Sequence, residues 1–166
     1  PRSSMPHART GTAELKDGQS LLVDWGARVD GYCSDLTRTA SMGRMPQKTG
    51  ELIRIAIEAQ QAALDKIQPG VPAAEVDRAA RDVIAEHGYE DNIAHSCGHG
   101  VGLEVHEDLL LSVRSDTELS PGMVVTVEPG IYIEGEAGAR VEDMVAVTRD
   151  GYTRLSSLDR ELPEMS

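Results

Sequence analysis

The sequence contains no phenylalanine and one tryptophan, and aromatic residues fill only 3% of its 166 positions. Leu, Ile, Val and Ala must therefore build the core, with Met filling the gaps. Cysteine is scarce as well. Cys33 and Cys97 are too few for a disulfide framework, so a reducing cytoplasm is the expected setting. Basic residues are outnumbered, 16 Lys and Arg against 28 Asp and Glu, for a net charge of −12. That excludes a phosphate-backbone binder, which needs a positive face. No apolar run approaches the ~18 residues that span a bilayer, and no signal-peptide pattern opens the chain. Neither nucleic acid nor membrane is expected as a partner.

What remains is a globular composition, 40% hydrophobic and 27% charged, at a one-domain length that can bury a core unaided. Residues 1–19 are rich in Pro, Ser, Thr and Gly and predict loop. Strand composition follows at 20–29 and 32–41, joined by the hairpin pair Asp30-Gly31. Apolar residues at helical spacing predict a helix over 51–67, with Thr49 as N-cap and Pro69-Gly70 as its stop. A second helix is predicted at 73–87, with Val76, Ala80, Val83, Ile84 and His87 on one side. The remainder is strand-rich at 123–133, 140–148 and 151–155. Strands, two helices, then strands again, without βαβ alternation, favour an α+β fold over a doubly wound sheet. The chain opens in a loop with no helix ahead of its first strands, so one N-terminally incomplete domain is expected.

Four acidic residues stand inside strand-like apolar segments: Asp24 in LLVDWGA, Asp35 in YCSDLTRT, Glu128 in VVTVEPGIYI and Glu142 in ARVEDMVAV. Ionised carboxylates are seldom buried unless paired or bound to a metal. Ion pairs with Arg38 and Arg140 would account for one of them; four together point to a shared cation site. The stretch HSCGHGVGLEVHE adds His95, His99 and His106 among glycines that let the backbone approach closely or take positive φ. One imidazole with four carboxylates is an oxygen-dominated set that suits Mn²⁺, Co²⁺ or Fe²⁺, with Zn²⁺ as an alternative. Four converging carboxylates repel and would protonate, whereas two divalent cations neutralise them. Two metals about 3.5–4 Å apart also activate a bridging water. Cys97 has a candidate base nearby but no identifiable orienting partner or oxyanion hole, and is expected to be a small buried side chain.

At these residues the sequence resembles the metallopeptidase family of methionine aminopeptidases, aminopeptidases P and prolidases, which has the "pita-bread" fold. The segments that carry the resemblance are VDWGARVDGYCSDLTRT, HSCGHGVGLEVHE, VVTVEPGIYI and ARVEDMV, spread over residues 7–148. The resemblance implies that Asp24, Asp35, His99, Glu128 and Glu142 hold two divalent metals, most simply Mn²⁺, with Asp35 bridging. It implies catalytic roles for Glu128 as proton shuttle, for His106 beside the tetrahedral intermediate, and for His95 near the scissile proline. His7, Tyr132 and Arg140 fall at substrate-side positions. GLEVHE and the HSCGH pair resemble the proline-directed branch, so an Xaa-Pro dipeptidase or Xaa-Pro aminopeptidase is implied. It would act on short proline-containing peptides with a metal-bridging water as nucleophile, and the same resemblance suggests a homodimer. Methionine aminopeptidase, or a binding module that keeps the fold without the activity, are the alternatives.

Two departures from the family pattern stand out. The second of the family's two half-domains is complete here, whereas the first lacks its leading helices and no separate N-terminal domain precedes it. Residues 1–166 are thus expected to be a C-terminal catalytic domain, incomplete at its N-terminal side. In addition, HEDLL stands where a proline commonly follows His-Glu.

Overall fold

The computed structural model describes residues 2–161. A 3-10 turn at Arg2–Ser4 is followed by strand β1, Ser20–Trp25. The predicted segment 20–29 breaks after Trp25, and β2 (Arg28–Val29) pairs with β3 (Tyr32–Cys33) as a separate hairpin. Asp30 and Gly31 both take positive φ, 51° and 91°, which a two-residue turn with the right-handed twist of its strands requires. Strand β4 (Leu36–Ser41) then returns antiparallel to β1, placing Asp24 opposite Thr37.

Helix α1 (Gln47–Leu64) starts earlier than the apolar periodicity predicts, because Pro46 is its N-cap, with φ −60° and ψ 136°. Proline needs no donor at that position, and Thr49 is instead buried inside the first turn. The helix also ends three residues short of Ile67, where the Lys66 and Ile67 amides bond i→i−3 and tighten the chain into a turn. Helix α2 (Ala73–Glu86) follows Pro72 and stops before Gly88, whose φ of 80° suits the left-handed exit. Val76, Ala80 and Ile84 are buried as predicted, while His87 faces outward beside Glu58 at 3.2 Å.

The remaining strands are β5 (Gly98–Gly100), β6 (Glu107–Leu111), β7 (Val124–Val127), β8 (Gly130–Ile133), β9 (Ala137–Arg140), β10 (Asp143–Val147) and β11 (Tyr152–Arg154). They form an antiparallel sheet in the order β11-β10-β7-β5-β6, beside the β8–β9 hairpin. The predicted run 123–133 is therefore two strands in two sheets, separated at Glu128-Pro129. A proline cannot donate to a ladder, so the break falls there. Arg140 closes β9 and does not open the next strand, as the run 140–148 had implied. Strands β5, β6 and β9 were not foreseen.

Packing follows from two apolar surfaces. The α1 face of Leu52, Ile55, Ala59 and Ala63 and the α2 face of Val76, Ala80 and Ile84 bury against Leu111, Val125, Val127, Ile131, Ala139 and Val145. The result is the expected α+β arrangement, with paired helices on antiparallel strands. No helix among the described residues is long and apolar enough to cross a membrane.

Candidate metal centre

Thr37 lies between two acidic residues in the strand register. Asp24 opposes it on β1, and an isolated bridge joins it to Glu142, whose amide donates to the Thr37 carbonyl at 3.1 Å. Asp35 precedes Thr37 by two residues, just ahead of β4, and its carboxylate groups with those of Asp24 and Glu142. Glu128 follows β7, where its amide donates to the Cys97 carbonyl at 2.7 Å, and His99 lies two residues beyond Cys97 on β5. Five segments of the chain, in strands or at their ends, thus deliver the five predicted ligands to one place.

There the ligand atoms form three overlapping groups, each within 4.8 Å: Asp24–Asp35–Glu142, His99–Glu128–Glu142 and Asp35–His99–His106. Asp35, His99 and Glu142 belong to two groups each, which gives an elongated site and not a point. The His99 Nε2 lies 3.3 Å from Glu128 Oε1 and 3.6 Å from Asp35 Oδ2. Its Nδ1 is 3.1 Å from the Gly100 carbonyl, which can only accept, so Nδ1 carries the proton and Nε2 presents a lone pair. The His106 ring packs on the His99 ring at a centroid distance of 4.2 Å and is exposed on the solvent side. His106 is therefore close enough to be a ligand itself, although the sequence had suggested a substrate contact.

Charge is poorly balanced around these groups. Arg140 is the guanidinium among the four carboxylates, at 2.6 Å from Asp24 and 3.8 Å from Glu128. Arg38, the other candidate partner, pairs instead with Asp143 at 2.7 Å. Burial pushes the Glu142 carboxyl up to about 9, with Glu128 and Asp35 adding repulsion. Burial likewise raises Glu128 to about 7, and raises Asp35 with help from Asp24. Carboxyls so disposed are short of positive charge, and an oxygen-rich set with one free imidazole lone pair fits a pair of hard or borderline divalent cations.

The predicted substrate-side residues form a second, connected layer. His95 Nδ1 donates to the Ser96 carbonyl at 2.8 Å, so its Nε2 accepts from the Tyr132 hydroxyl, also at 2.8 Å. Tyr132 in turn accepts from Arg140 Nη1 at 2.7 Å. Both His95 nitrogens are engaged, and burial lowers its proton affinity, so the ring is neutral. Tyr132 and Arg140 are buried, whereas His7 is exposed. Arg140 also donates to the Pro6 carbonyl at 3.2 Å, which fixes the backbone next to His7.

Several residues at the site had escaped the sequence analysis. Thr37 Oγ1 donates to Glu142 Oε2. Thr126 Oγ1 donates to Glu128 at 3.2 Å and accepts the His99 amide at 3.0 Å. The one signal available was spacing: each threonine stands two residues from a ligand, Thr37 after Asp35 and Thr126 before Glu128. Buried Asp77 caps the Cys97 and Val113 amides at 3.0 and 2.7 Å, a role that no helix pattern announces. Cys97 itself is buried with a thiol pushed above its usual range by burial, which removes it as a nucleophile, and both cysteines are unpaired.

An acidic, imidazole-bearing cluster set by antiparallel strands under paired helices defines a metallopeptidase domain of pita-bread architecture. The chain belongs to metallopeptidase family M24, whose model matches residues 1–149. It is similar to the Xaa-Pro dipeptidase of Pyrococcus horikoshii, 44% identical over 161 residues, which cover 97% of this chain and 46% of that protein. Its fold is similar to the Xaa-Pro dipeptidase from Bacillus anthracis (TM-score 0.96, 43% identity, 99% of this chain and 46% of that one). The X-Pro aminopeptidase from Thermotoga maritima is also similar (TM-score 0.94, 40% identity, 97% and 45%). The chain thus spans about half the length of the relatives it matches.

Proposed function

We propose that this chain is the metal-binding catalytic domain of a hydrolase that cleaves short peptides next to proline. The observation that carries the reading is the convergence of Asp24, Asp35, His99, Glu128 and Glu142 into overlapping ligand groups. These five would hold two divalent cations, with Mn²⁺ the favoured pair, because four carboxylate side chains outnumber the single imidazole lone pair. When bound, the cations supply an activated water and polarise the scissile carbonyl.

The chain's own groups do the rest. Glu128, set beside His99 at 3.3 Å within the ligand cluster, takes the proton from the attacking water and passes it to the leaving amine. His106, exposed beside His99, donates to the oxyanion as it forms. The neutral His95 ring forms the wall on the proline side, oriented by Tyr132 and Arg140 through their hydrogen-bond relay, and His7 lines the solvent edge. Tyr132 and Arg140 act on substrate through His95, since their polar atoms already bind protein groups. Both unpaired cysteines suit a reducing cytoplasm. Proline specificity rests on the similar dipeptidase and aminopeptidase, and a homodimer is part of the same proposal.

The test is a peptide panel with the Mn²⁺-loaded protein: Ala-Pro, an Xaa-Pro-Xaa tripeptide and Met-Ala. Hydrolysis of the first or second, without the third, is expected. Cleavage of Met-Ala alone would assign a methionine aminopeptidase. Tight uptake of two cations with no cleavage of any peptide would assign a binding module.

A further inference from the structure

Helix α1 buries two polar residues, Thr49 in its first turn and Gln60 in the middle of its apolar stripe. Gln60 lies four residues after Ala56 and three before Ala63, and is fully buried with both. Its Nε2 donates to the Val127 carbonyl at 2.9 Å and to the Val141 carbonyl at 3.3 Å. Those two residues immediately precede Glu128 and Glu142. Both lie where a ladder gives out: Val127 ends β7, and Val141 stands in the gap between β9 and β10. A carbonyl only accepts, so the amide must turn its NH₂ toward them and its oxygen away. That oxygen meets Arg160 Nη1 at 3.3 Å, which holds the amide in this orientation.

We infer that Gln60 is a positioning residue of the metal centre: one amide ties together the backbones that carry Glu128 and Glu142 and thereby sets the spacing of the two carboxylates. The inference rests on the metal-binding reading above. An amide is the side chain the job requires. A leucine of similar volume would leave two buried carbonyls without this donor, and a lysine would bury an unmatched charge. A cation pair needs its ligands at one separation, and outer groups that orient ligands are worth about 10–100-fold in metal affinity. Both polar atoms of Gln60 bind protein groups, so it should act through the backbone on the cation that depends on both glutamates.

The experiment is a Mn²⁺ titration of wild-type protein, Gln60→Met and Arg160→Met, followed by calorimetry and by electron paramagnetic resonance, which reports a spin-coupled pair. Wild type should bind two ions and show the coupled signal. Gln60→Met should keep the first ion near wild-type affinity, bind the second about 10–100-fold more weakly, and lose the coupled signal at matched loading. Arg160→Met, which leaves the carbonyl bonds in place but frees the amide, should weaken the second ion to an intermediate degree. A Gln60→Met protein that binds both ions as wild type does would overturn the inference, whatever its melting temperature. Should that variant fail to fold, unchanged second-ion affinity in Arg160→Met would overturn it instead. A wild type that binds no ion pair would defeat the metal-centre reading itself, a distinct result.

Discussion

Glu142 is the most constrained of the acidic residues. It is 2% exposed, receives the Thr37 hydroxyl, and sits beside three other carboxyls, those of Glu128, Asp35 and Asp24. Thr37→Val keeps the shape and removes the donor, so it should cost about 1–2 kcal/mol of stability in a denaturant titration. It should also weaken cation binding measurably, since Glu142 then loses its orientation. Glu128→Gln should behave differently. A neutral amide has nothing to protonate, so kcat should fall at least ~10²-fold on a cleavable proline peptide. The metal-free variant should melt no lower than wild type at pH 8, because it no longer buries that charge. A variant that turns over normally with both ions bound would remove Glu128 as the proton shuttle. At this scale the four acids were legible because a carboxylate in an apolar strand is anomalous. Thr37, Thr126 and Gln60 were not, because threonine is ordinary in a strand and one glutamine in a long helix attracts no notice.

Elements position these residues through close backbone approach and one buried strap. A Cβ at Gly98 would run into the Thr126 carbonyl oxygen on β7, so β5 needs glycine just before its ligand His99. Gly98→Ala should destabilise by about 1–3 kcal/mol, read as a lowered urea midpoint. Arg38, fully buried on β4, binds the Glu142, Leu158 and Asp159 carbonyls and the Asp143 carboxylate. The other Asp143 oxygen has no hydrogen bond among the described residues and lies 3.8 Å from Arg154. Arg38→Met would leave that carboxylate without its buried partner and should cost about 3–5 kcal/mol, seen as a large drop in melting temperature. The helices were legible because a 3.6-residue period persists over four or five turns. Strands β5 and β9 were not: GHG and AGAR lack the β-branched residues by which a strand announces itself, and their place is set by neighbours across the sheet.

For the whole molecule, the site is a load of unneutralised charge whose cost depends on pH. Glu142 and Glu128 have folded values of about 9 and about 7, both above the ordinary 4.5. The folded metal-free state therefore holds protons that the unfolded chain has released, and its stability falls as pH rises from 4.5 through 7 toward 9. Divalent cations bind the deprotonated form and reverse that loss. The rise in melting temperature on adding Mn²⁺ to chelator-treated protein should thus grow steadily between pH 5 and pH 9; a gain independent of pH would contradict the shared site. The sequence by itself determined the α+β class, the two helices, the acidic and imidazole ligand types and the family, since these follow from periodicity and from motifs local to the chain. Only the tertiary structure decided that those ligands meet, that Arg140 stands among them while Arg38 does not, and that a helix glutamine ties two of their strands together. Such pairings join residues some 70 to 120 positions apart, and side-chain geometry across that separation exists only once the strands have taken their register.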